Sequence, residues 1–402
     1  MKALIIGSGI AGPCAAMALQ QAGIDSVVYE ARSTGADGVG VFLTLASNGI
    51  DALRSIGAEG PAVSAGFPTP AIDMVSTTGK ALGQVRTSGP DGDTVSRTLK
   101  RADLYSAVRD EAQRRGVRIE QGKRLVDAQN TKDGVRAVFA DGSEEVGDLL
   151  IGCDGLHSTV RGLIDPAAGA PGYSGLIGLG GYTSGVPVNT QVGSYQMMFG
   201  KRAFFGFVPS PDGQVWWFAN LPHPKEPDRG ALAGVDPEVW RHRLTSFFAD
   251  DTGPAAELIR ASREITPASP MHALRTVPAW HRGRMIIIGD AAHAPSPTSG
   301  QGASLSIEDA VELAKALRDL PNVEGAFTAY ESLRRPRVER IVKQAARINN
   351  NKAAGPVGRI IRDLMMPVFL PRLANGEQSR QTYGYHIDWS TPTSADGATF
   401  GS

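Results

Sequence analysis

Apolar residues near the start of the chain fall into two short runs with a stretch of small residues between them. Residues 3–6 and 26–29 are the two apolar runs, and short runs of this kind are typical of strands. The stretch between them is rich in alanine, carries Pro13 at its beginning and ends at Gly23. Helices tolerate proline in the first turn and commonly end at glycine. The pattern therefore predicts a strand, a glycine turn, a helix and a second strand over residues 2–30.

The pattern changes after residue 72, where short strands are predicted around Thr78-Gly79-Lys80 and a helix over about residues 102–116. A hairpin is expected to turn at Asp141-Gly142, a residue pair that readily adopts positive φ angles. Residues 148–151 are almost continuously apolar, as expected of a strand that is covered on both faces.

Residues 171–270 differ from the rest, because glycine-rich and aromatic strands precede one helix around residues 237–248. A strand, a glycine turn and a helix return over residues 284–320. Two helical stretches follow, over about 323–351 and 358–373, and then a polar tail. The pattern predicts an α/β protein in which a discontinuous Rossmann-like domain carries an inserted β-rich domain and C-terminal helices. The predicted bounds are 1–72, 97–170 and 271–345 for the Rossmann-like domain, 73–96 and 171–270 for the β-rich domain, and 346–402 for the C-terminal helical segment and tail.

Charge and composition narrow the class of partner. The 402-residue chain has 41 Lys plus Arg and 41 Asp plus Glu, so no global field attracts nucleic acid or anionic lipid. Residues 355–373 are the most apolar long stretch, but charges and prolines interrupt them, so no membrane span is predicted. The first strand begins too close to Met1 for a signal peptide, which predicts a cytoplasmic protein. A small molecule is the expected partner.

The cysteines, histidines and arginines of the chain predict no metal or nucleic-acid site. Cys14 and Cys153 form no ligand pattern and are expected to be buried. The seven histidines show no ligand spacing, and His293 is expected to support its loop by hydrogen bonding. Arg334, Arg335, Arg337 and Arg340 alternate with Glu331 and Glu339, which favours a solvated helix face.

The first glycine loop is Gly7-Ser8-Gly9-Ile10-Ala11-Gly12. Gly7 suits a tight turn, Gly9 a close approach of the backbone to a pyrophosphate, and Gly12 close packing of helix on strand. The helix N-terminus would then bind the phosphates. Glu30 lies 18 residues after Gly12, at the end of the next strand, where a carboxylate can accept hydrogen bonds from ribose hydroxyls. The loop predicts dinucleotide binding but leaves NAD and FAD open.

Two later elements repeat the order of strand, acid and glycine. Asp154 follows the apolar run at 148–151, and Ser158 can cap the helix that carries Arg161; Asp154 and Arg161 can equally be a structural pair. Asp290 follows residues 285–288 and can bind a polyol hydroxyl. Gly300-Gln301-Gly302 then opens a helix whose free N–H groups could face a ring that becomes anionic on reduction. The alternative for this last element is an ordinary βα crossover with a glycine loop.

The three elements together resemble the FAD-dependent aromatic hydroxylase family, the single-component flavoprotein monooxygenases of the para-hydroxybenzoate hydroxylase type. Arg101-Ala-Asp-Leu104 matches the Arg-x-x-Leu of that family, and Tyr330-Glu-x-x-Arg334-Arg-Pro336 matches the helix after its third motif. The resemblance weakens between about residues 171 and 270. Ser304 departs from the resemblance, because many members of the family have Asn at this position. The departure concerns one contact with the flavin ring and not the choice of cofactor.

The resemblance implies FAD as cofactor and NADH or NADPH as co-substrate. It implies that NAD(P)H reduces FAD and that oxygen forms a hydroperoxyflavin, which hydroxylates an aromatic or polycyclic molecule. Glu30 would bind the adenosine ribose, Asp290 the ribityl chain and residues 300–302 the ring, while Asp154 belongs to a motif associated with both nucleotides. The implied cofactor-binding residues are Gly7, Gly9, Ile10, Ala11, Gly12, Glu30, Ala31, Arg32, Arg101, Asp154, Asp290, Pro297, Gly300, Gly302 and Ala303.

The substrate residues are expected in the β-rich domain, where strand alternation allows only about half of the aromatic residues to line one pocket. Most of these aromatic side chains are expected to be core. The substrate candidates are Tyr182, Tyr195, Arg202, Phe205, Trp217 and His223, and no catalytic base is assigned. Molecular oxygen is the expected second substrate, and a monomer or homodimer is expected.

Two other functions remain open at this point. One is an FAD-dependent reductase or oxidase of the same fold that does not insert oxygen. The other is a binding protein that keeps the scaffold without redox chemistry, and the intact stretch from Gly289 to Gly302 argues against it.

Overall fold

The computed structural model describes residues 1–34, 41–89, 92–228, 230–232, 234–274, 276–296, 299–352, 356–374 and 376–394. The strands are β1 Lys2–Ile6, β2 Asp25–Tyr29, β3 Phe42–Leu45, β4 Phe67–Pro68, β5 Ala71–Ser76, β6 Ala81–Arg86, β7 Arg97–Lys100, β8 Arg118–Glu120, β9 Leu125–Asn130, β10 Val135–Phe139, β11 Glu144–Gly147, β12 Leu149–Gly152, β13 Gly172–Ser184, β14 Tyr195–Phe199, β15 Phe204–Pro209, β16 Gln214–Pro222, β17 Glu264–Ile265, β18 Ser269–Ala273, β19 His281–Arg282 and β20 Met285–Ile287. The helices are α1 Ala11–Gln21, α2 Ser47–Ser55, α3 Glu59–Ser64, α4 Arg101–Arg114, α5 Thr159–Ile164, α6 Pro237–Phe248, α7 Ala255–Ala261, α8 Gly302–Asp319, α9 Val323–Lys352, α10 Pro356–Ala374 and α11 Glu377–Tyr383.

A six-stranded sheet forms the centre of the first domain, with the order β19-β20-β12-β1-β2-β8. Strands β20, β12, β1, β2 and β8 pair in parallel, and only β19 at the edge is antiparallel. The carboxyl ends of parallel strands meet at one edge of a sheet, and ligands of such sheets bind there. The loops after β1, β2, β12 and β20 therefore converge, which confirms the predicted Rossmann-like fold.

Helix α1 covers this sheet, and α8 packs against α1. The alanines of α1 are buried, including Ala15, Ala16 and Ala18, and their small side chains allow the helix to lie close to its neighbours. Cys14 and Cys153 are both buried and free, as predicted.

A second, eight-stranded sheet has the order β17-β13-β16-β15-β14-β5-β6, with β18 paired to β13. Strands β5 and β6 come from residues 71–86, and the others come from residues 172–273. Among the described residues, the buried side chains of this sheet form three clusters, and two of them show how its faces are covered. One contains Phe205, Phe207 and Trp217 together with Trp240 and Leu244 of α6, and the other contains Tyr195, Val208 and Trp216 together with Phe42 and Phe67. Helices thus cover one face, and the other is turned towards the first domain.

The C-terminal segment packs back onto the first domain. Ile387 is only 2% exposed, and Tyr385 and Trp389 contact the same core. The prediction of a polar tail is therefore wrong for residues 376–394, because apolar side chains at alternate positions along this segment fill a groove beside α8 and α9. Across the described ranges, no helix combines the length and apolar character that a membrane crossing requires.

Candidate active site

The first glycine loop has the geometry that each of its glycines was predicted to supply. Gly7 has φ of +103°, and a Cβ atom on it would lie 2.5 Å from the carbonyl oxygen of Cys153. A Cβ atom on Gly12 would lie 2.0 Å from the carbonyl oxygen of Gly7. A Cβ atom on Gly9, in contrast, would meet nothing within 4 Å. Gly7 and Gly12 are thus required by packing, whereas the space above Gly9 is open.

Glu30 is fixed beside this loop at the end of β2. One carboxylate oxygen accepts a hydrogen bond from the backbone N–H of Ser8 at 2.8 Å, and the other accepts one from the N–H of Arg32 at 2.9 Å. The hydroxyl of Ser8 is buried without a hydrogen-bond partner in the described chain. Ala31 and Arg32 continue from Glu30 towards the surface. The open space above Gly9 and the unpaired hydroxyl of Ser8 fit the pyrophosphate of a dinucleotide, and the fixed carboxylate of Glu30 fits its adenosine end.

The third motif begins with a turn at Gly289, whose φ is +60°. Its backbone N–H donates to Oδ2 of Asp309 at 2.9 Å, and Nε2 of His293 lies 2.5 Å from the same oxygen. His293 therefore supports the loop by hydrogen bonding, as predicted. Asp309 on α8 therefore contacts both ends of the turn in which Asp290 lies.

Asp290 and Arg101 meet at the mouth of this turn. Burial raises the pKa of the Asp290 carboxyl above its ordinary value, and the charges of His293 and Arg101 act in the opposite direction. Nε of Arg101 donates to the hydroxyl of Tyr105 at 2.9 Å. The carboxylate of Asp290 forms no hydrogen bond with another described residue, and Oδ1 lies 3.8 Å from the place of a Cβ atom on Gly302. A buried carboxylate with free acceptors fits the hydroxyl groups of a polyol chain.

Helix α8 starts at Gly302 directly after Gly300, which has φ of +63°. The N–H groups of Gly302 and Ala303 have no acceptor within the helix, so they can bind a negatively charged group. The hydroxyl of Ser304 accepts from the N–H of Ala46 at 3.1 Å, and it thereby joins α8 to the start of α2. Pro297 lies outside the described residues, so its predicted contact stays a prediction.

Asp154 lies at the carboxyl edge of the sheet, and its carboxylate accepts hydrogen bonds from the residues that follow it in the chain. It accepts from the Ser158 hydroxyl at 2.5 Å and from the N–H groups of Thr159 and Val160 at 2.7 and 3.1 Å. The Ser158 hydroxyl accepts from the N–H of Arg161 at 2.9 Å, which is the predicted cap. Arg161 does not pair with Asp154; it donates to the carbonyl oxygen of Ala291 at 3.0 Å. Arg161 thus supports the residue next to Asp290, and its role was not apparent from sequence.

The substrate candidates divide between the two faces of the eight-stranded sheet. Tyr182 and Tyr195 lie on the face turned to the first domain, with Trp216, Phe42 and Phe67. Phe205 and Trp217 are fully buried on the other face, and the indole N–H of Trp217 donates to the Ser262 hydroxyl at 2.8 Å. Their assignment as substrate residues is corrected, because strand alternation directs them into the core beneath α6 and α7.

The two polar candidates also lie apart from Tyr182. Arg202 is exposed, and its guanidinium is 2.7 Å from the Asp250 carboxylate. His223 follows β16, and its Nδ1 lies 2.5 Å from the carbonyl oxygen of Lys225. The structure does not bring either residue into the aromatic face. Trp216, one of the aromatic residues of the β-rich domain, does lie on this face. Phe42, Thr44 and Lys100, which the sequence analysis missed, lie there or beside it.

A buried ionic network supports α8 from behind. Nη2 of Arg334 lies 2.6 Å from Oε2 of Glu308, and its Nε lies 2.8 Å from Oδ1 of Asp309. Arg337 pairs with Glu308 at 2.8 Å. Asn48 of α2 donates to both Glu308 and Gln301, at 2.6 and 3.0 Å. The prediction of a solvated face is wrong for Arg334 and Arg337, because their partners are on a different helix.

The fold and the site together define a class of protein. The edge of a Rossmann-like sheet can bind one end of a dinucleotide, and a second glycine loop at α8 can hold a polyol and a ring. An aromatic sheet face packs against β3 and β4 of the same domain. These features describe an FAD-dependent enzyme with a separate substrate domain. The unpaired Ser8 hydroxyl, the open space above Gly9 and the free acceptors of Asp290 fit FAD.

Comparison with known proteins identifies the family. The sequence profile of the family described as "FAD binding domain" matches residues 1–345, and the chain belongs to this family. It is 30% identical over 361 residues to the aurachin C monooxygenase/isomerase of Stigmatella aurantiaca, covering 87% of this chain and 88% of that protein. It is also 30% identical over 352 residues to an FAD-dependent urate hydroxylase of Klebsiella pneumoniae, covering 86% and 88%.

Solved structures agree with this assignment. The crystal structure of Klebsiella pneumoniae HpxO with FAD and uric acid superposes with a TM-score of 0.84 at 26% identity, covering 96% of this chain and 97% of that chain. The resemblance to the aromatic hydroxylases is thereby confirmed. The protein is an FAD-dependent monooxygenase of the aromatic hydroxylase type, an oxidoreductase that uses NAD(P)H.

The assignment of Asp290 to the ribityl chain is testable by substitution. We expect Asp290→Ala to lower the affinity for FAD about tenfold or more, because a charge-assisted hydrogen bond contributes about 1.5–3 kcal/mol. Titration of the apoprotein with FAD, followed by flavin fluorescence, measures the change. Asp133→Ala, at an exposed turn, is the control and should bind FAD like the parent. Unchanged flavin affinity in Asp290→Ala would contradict the assignment.

Proposed function

We propose that the enzyme inserts one atom of molecular oxygen into a flat aromatic or nitrogen-containing ring. The observation that carries this proposal is the aromatic face of the eight-stranded sheet, which packs against Phe42 and Phe67 of the first domain. On this face the rings of Tyr182 and Trp216 are 5.4 Å apart and perpendicular, and those of Phe42 and Trp216 are 5.6 Å apart. Rings in such arrangements offer flat and edge contacts to another aromatic ring.

The hydroxyl of Tyr182 donates to the carbonyl oxygen of Val41 at 2.9 Å, and the backbone N–H of Arg101 donates to the same oxygen at 3.3 Å. One carbonyl therefore joins the substrate face to the residue that lies beside Asp290. Because rate depends on holding two reacting centres in a fixed relative position, this joint is expected to set the position of the substrate relative to the cofactor ring.

FAD, when bound and reduced by NADH or NADPH, supplies the activation of molecular oxygen and its transfer to the substrate. The protein contributes the N–H groups at the start of α8, which favour negative charge on a group bound there. The apolar side chains Phe42, Phe67 and Trp216 contribute an environment that excludes water. Catalysis then depends mainly on the orientation of the substrate.

The names of the relatives support the proposed substrate class. Relatives include urate hydroxylases and a 2-heptyl-3-hydroxy-4(1H)-quinolone synthase of Pseudomonas aeruginosa, which is 29% identical over 347 residues. The names concern flat rings that contain nitrogen. We propose that this chain acts on a molecule of the same general shape.

A substrate screen tests the proposal. FAD-loaded enzyme is mixed with NADH or NADPH and a panel of aromatic and heterocyclic compounds, and NAD(P)H oxidation and oxygen uptake are recorded. Reactions under isotopically labelled oxygen gas are then examined by mass spectrometry. We expect a product that is heavier by one labelled oxygen atom. Stimulated NAD(P)H oxidation that yields only hydrogen peroxide or a reduced substrate would contradict the proposal and favour a reductase or oxidase.

We also propose a cytoplasmic location, because the reaction consumes NAD(P)H and because Cys14 and Cys153 are both buried thiols. A monomer or homodimer is proposed for the assembly. Fractionation of the native cells and light scattering of the purified protein test these two proposals.

A further inference from the structure

Lys100 lies next to the aromatic face and takes no part in the contacts described so far. It is the last residue of β7 and pairs directly with Phe42 across β3. Directly paired residues on antiparallel strands have side chains on the same side of the sheet. Since Phe42 contacts Tyr195, Trp216 and Phe218, Lys100 is directed to the same aromatic face.

The ammonium group of Lys100 lies over two rings of this face. Nζ is 5.3 Å from the ring centroid of Tyr182 and 5.9 Å from that of Trp216, and both distances are within the range of cation–π contacts. Lys100 forms no ion pair with a described residue. Asp103 is the acidic residue whose charge acts on Tyr182, yet it is exposed on α4 and does not pair with Lys100. Lys100 is exposed at the border of the substrate face, and no carboxylate of the described residues forms an ion pair with it.

A second donor on this face also lacks an acceptor. The indole N–H of Trp216 is buried and has no hydrogen-bond partner in the described chain, and Trp216 is 7% exposed. The hydroxyl of Thr44 lies on the same side of β3 as Phe42 and is 3.0 Å from that of Thr98. The Lys100 ammonium and the Trp216 indole N–H can only donate, whereas the Thr44 hydroxyl can donate or accept. Unpaired donors and a free cation match a ligand that is rich in acceptors and negatively charged.

We infer that Lys100 selects substrates whose flat ring carries a delocalised negative charge, as a deprotonated ring hydroxyl or ring N–H does. The inference rests on the proposed function and names the substrate class of the same site. Lys100 precedes Arg101, which lies beside Asp290, so a charge bound at Lys100 stays close to the cofactor position. A ring that is rich in electrons is also the better acceptor of an electrophilic oxygen atom, which makes charge selection useful for the reaction.

Binding of matched ligand pairs to the FAD-loaded enzyme tests the inference. The pairs are urate with hypoxanthine and pentafluorophenol with phenol, of which the first member has lost a ring N–H or ring hydroxyl proton at neutral pH and the second is neutral. Dissociation constants are measured from the change in flavin absorbance. We expect the parent to bind the anion of at least one pair about tenfold more tightly, as hydrogen bonds to charged groups allow.

Three variants separate charge from packing. Lys100→Met keeps an unbranched apolar side chain over the rings and is expected to lose the preference for the anion, while its affinity for the neutral ligand changes less than about threefold. Lys100→Arg should keep the preference. Lys132→Met, at an exposed turn, is the control and should behave like the parent.

The possible results have distinct meanings. A parent without preference for the anions, or a Lys100→Met variant that keeps the preference, would overturn the inference. Equal loss of both ligands in Lys100→Met would also overturn it, because that result indicates packing alone. The proposed function is tested separately by labelled oxygen in the product: if no ring gains oxygen while the charge preference depends on Lys100, the site selects anions but the proposed reaction is wrong.

Discussion

Replacing Arg334 by methionine is expected to lower the free energy of unfolding by about 3–5 kcal/mol, the usual effect of removing one partner of a buried ion pair. Arg334, Glu308 and Asp309 have fully buried side chains. Methionine has a similar length but no charge, so the substitution leaves the two acids with less positive charge in a site that water does not reach. Urea denaturation of the apoprotein, followed by circular dichroism, measures the change.

Arg340→Met is the matched control for this prediction. Arg340 lies six residues further along α9, and its side chain is exposed. Its replacement should change the free energy of unfolding by less than about 1 kcal/mol, as is usual for surface charges. Equal effects of the two substitutions would show that the Arg334 network does not stabilise the fold.

The effect of Arg334→Met should also depend on pH. Burial alone would raise the pKa of Asp309, but the charges of His293 and Arg334 hold it below its ordinary value. The pKa of Glu308 is likewise lowered, by Arg334 and Arg337 against burial. A lowered pKa in the folded state contributes stability above the pKa of the unfolded chain and loses it as the pH falls. The stability difference between parent and variant should therefore narrow below about pH 4.

Gly9→Val is expected to leave the fold intact and to lower the affinity for FAD by at least about a hundredfold, or roughly 2.7 kcal/mol. No atom lies within 4 Å of a Cβ atom on Gly9, so the protein itself has room for the side chain. The same space is where the pyrophosphate has to approach the backbone in a loop of this type. The valine therefore competes with the cofactor and not with the protein core.

Gly12→Ala provides the contrast, because its Cβ atom would lie 2.0 Å from the carbonyl oxygen of Gly7. We expect Gly12→Ala to lower the melting temperature of the apoprotein and Gly9→Val to leave it close to that of the parent. FAD content after purification and titration of the apoprotein provide the second measurement. A Gly9→Val protein that is purified with stoichiometric FAD would refute the position assigned to the pyrophosphate.

Local rules of the chain explain why the cofactor site could be read from sequence. Gly7, Gly12 and Gly289 are needed where the backbone turns sharply or two elements touch. Glu30 and Asp290 follow apolar strands, and parallel strands bring such positions to one edge without further information. Interactions between neighbours in the chain therefore determined the fold class and the turns on which the predicted FAD-binding residues lie.

Contacts between distant segments decided the rest. Alternation along β15 and β16 divides the aromatic residues into two sets, but it does not say which set faces the first domain; packing of α6 and α7 decides that Phe205 and Trp217 are core. Within α9 alone, the spacing of the arginines is typical of a solvated helix face. Arg334 and Arg337 are buried because their carboxylate partner, Glu308, belongs to α8.

The sequence by itself determined that this protein has a Rossmann-like sheet with a glycine loop of the dinucleotide-binding type, since turns and strand periodicity are short-range properties. Only the tertiary structure decided which side chains form the proposed substrate face. Phe42, Lys100, Tyr182 and Trp216 are brought together by pairing of β3 with β7 and of β13 with β16. Such pairings depend on how separate segments bury their surfaces together, and no local pattern encodes them.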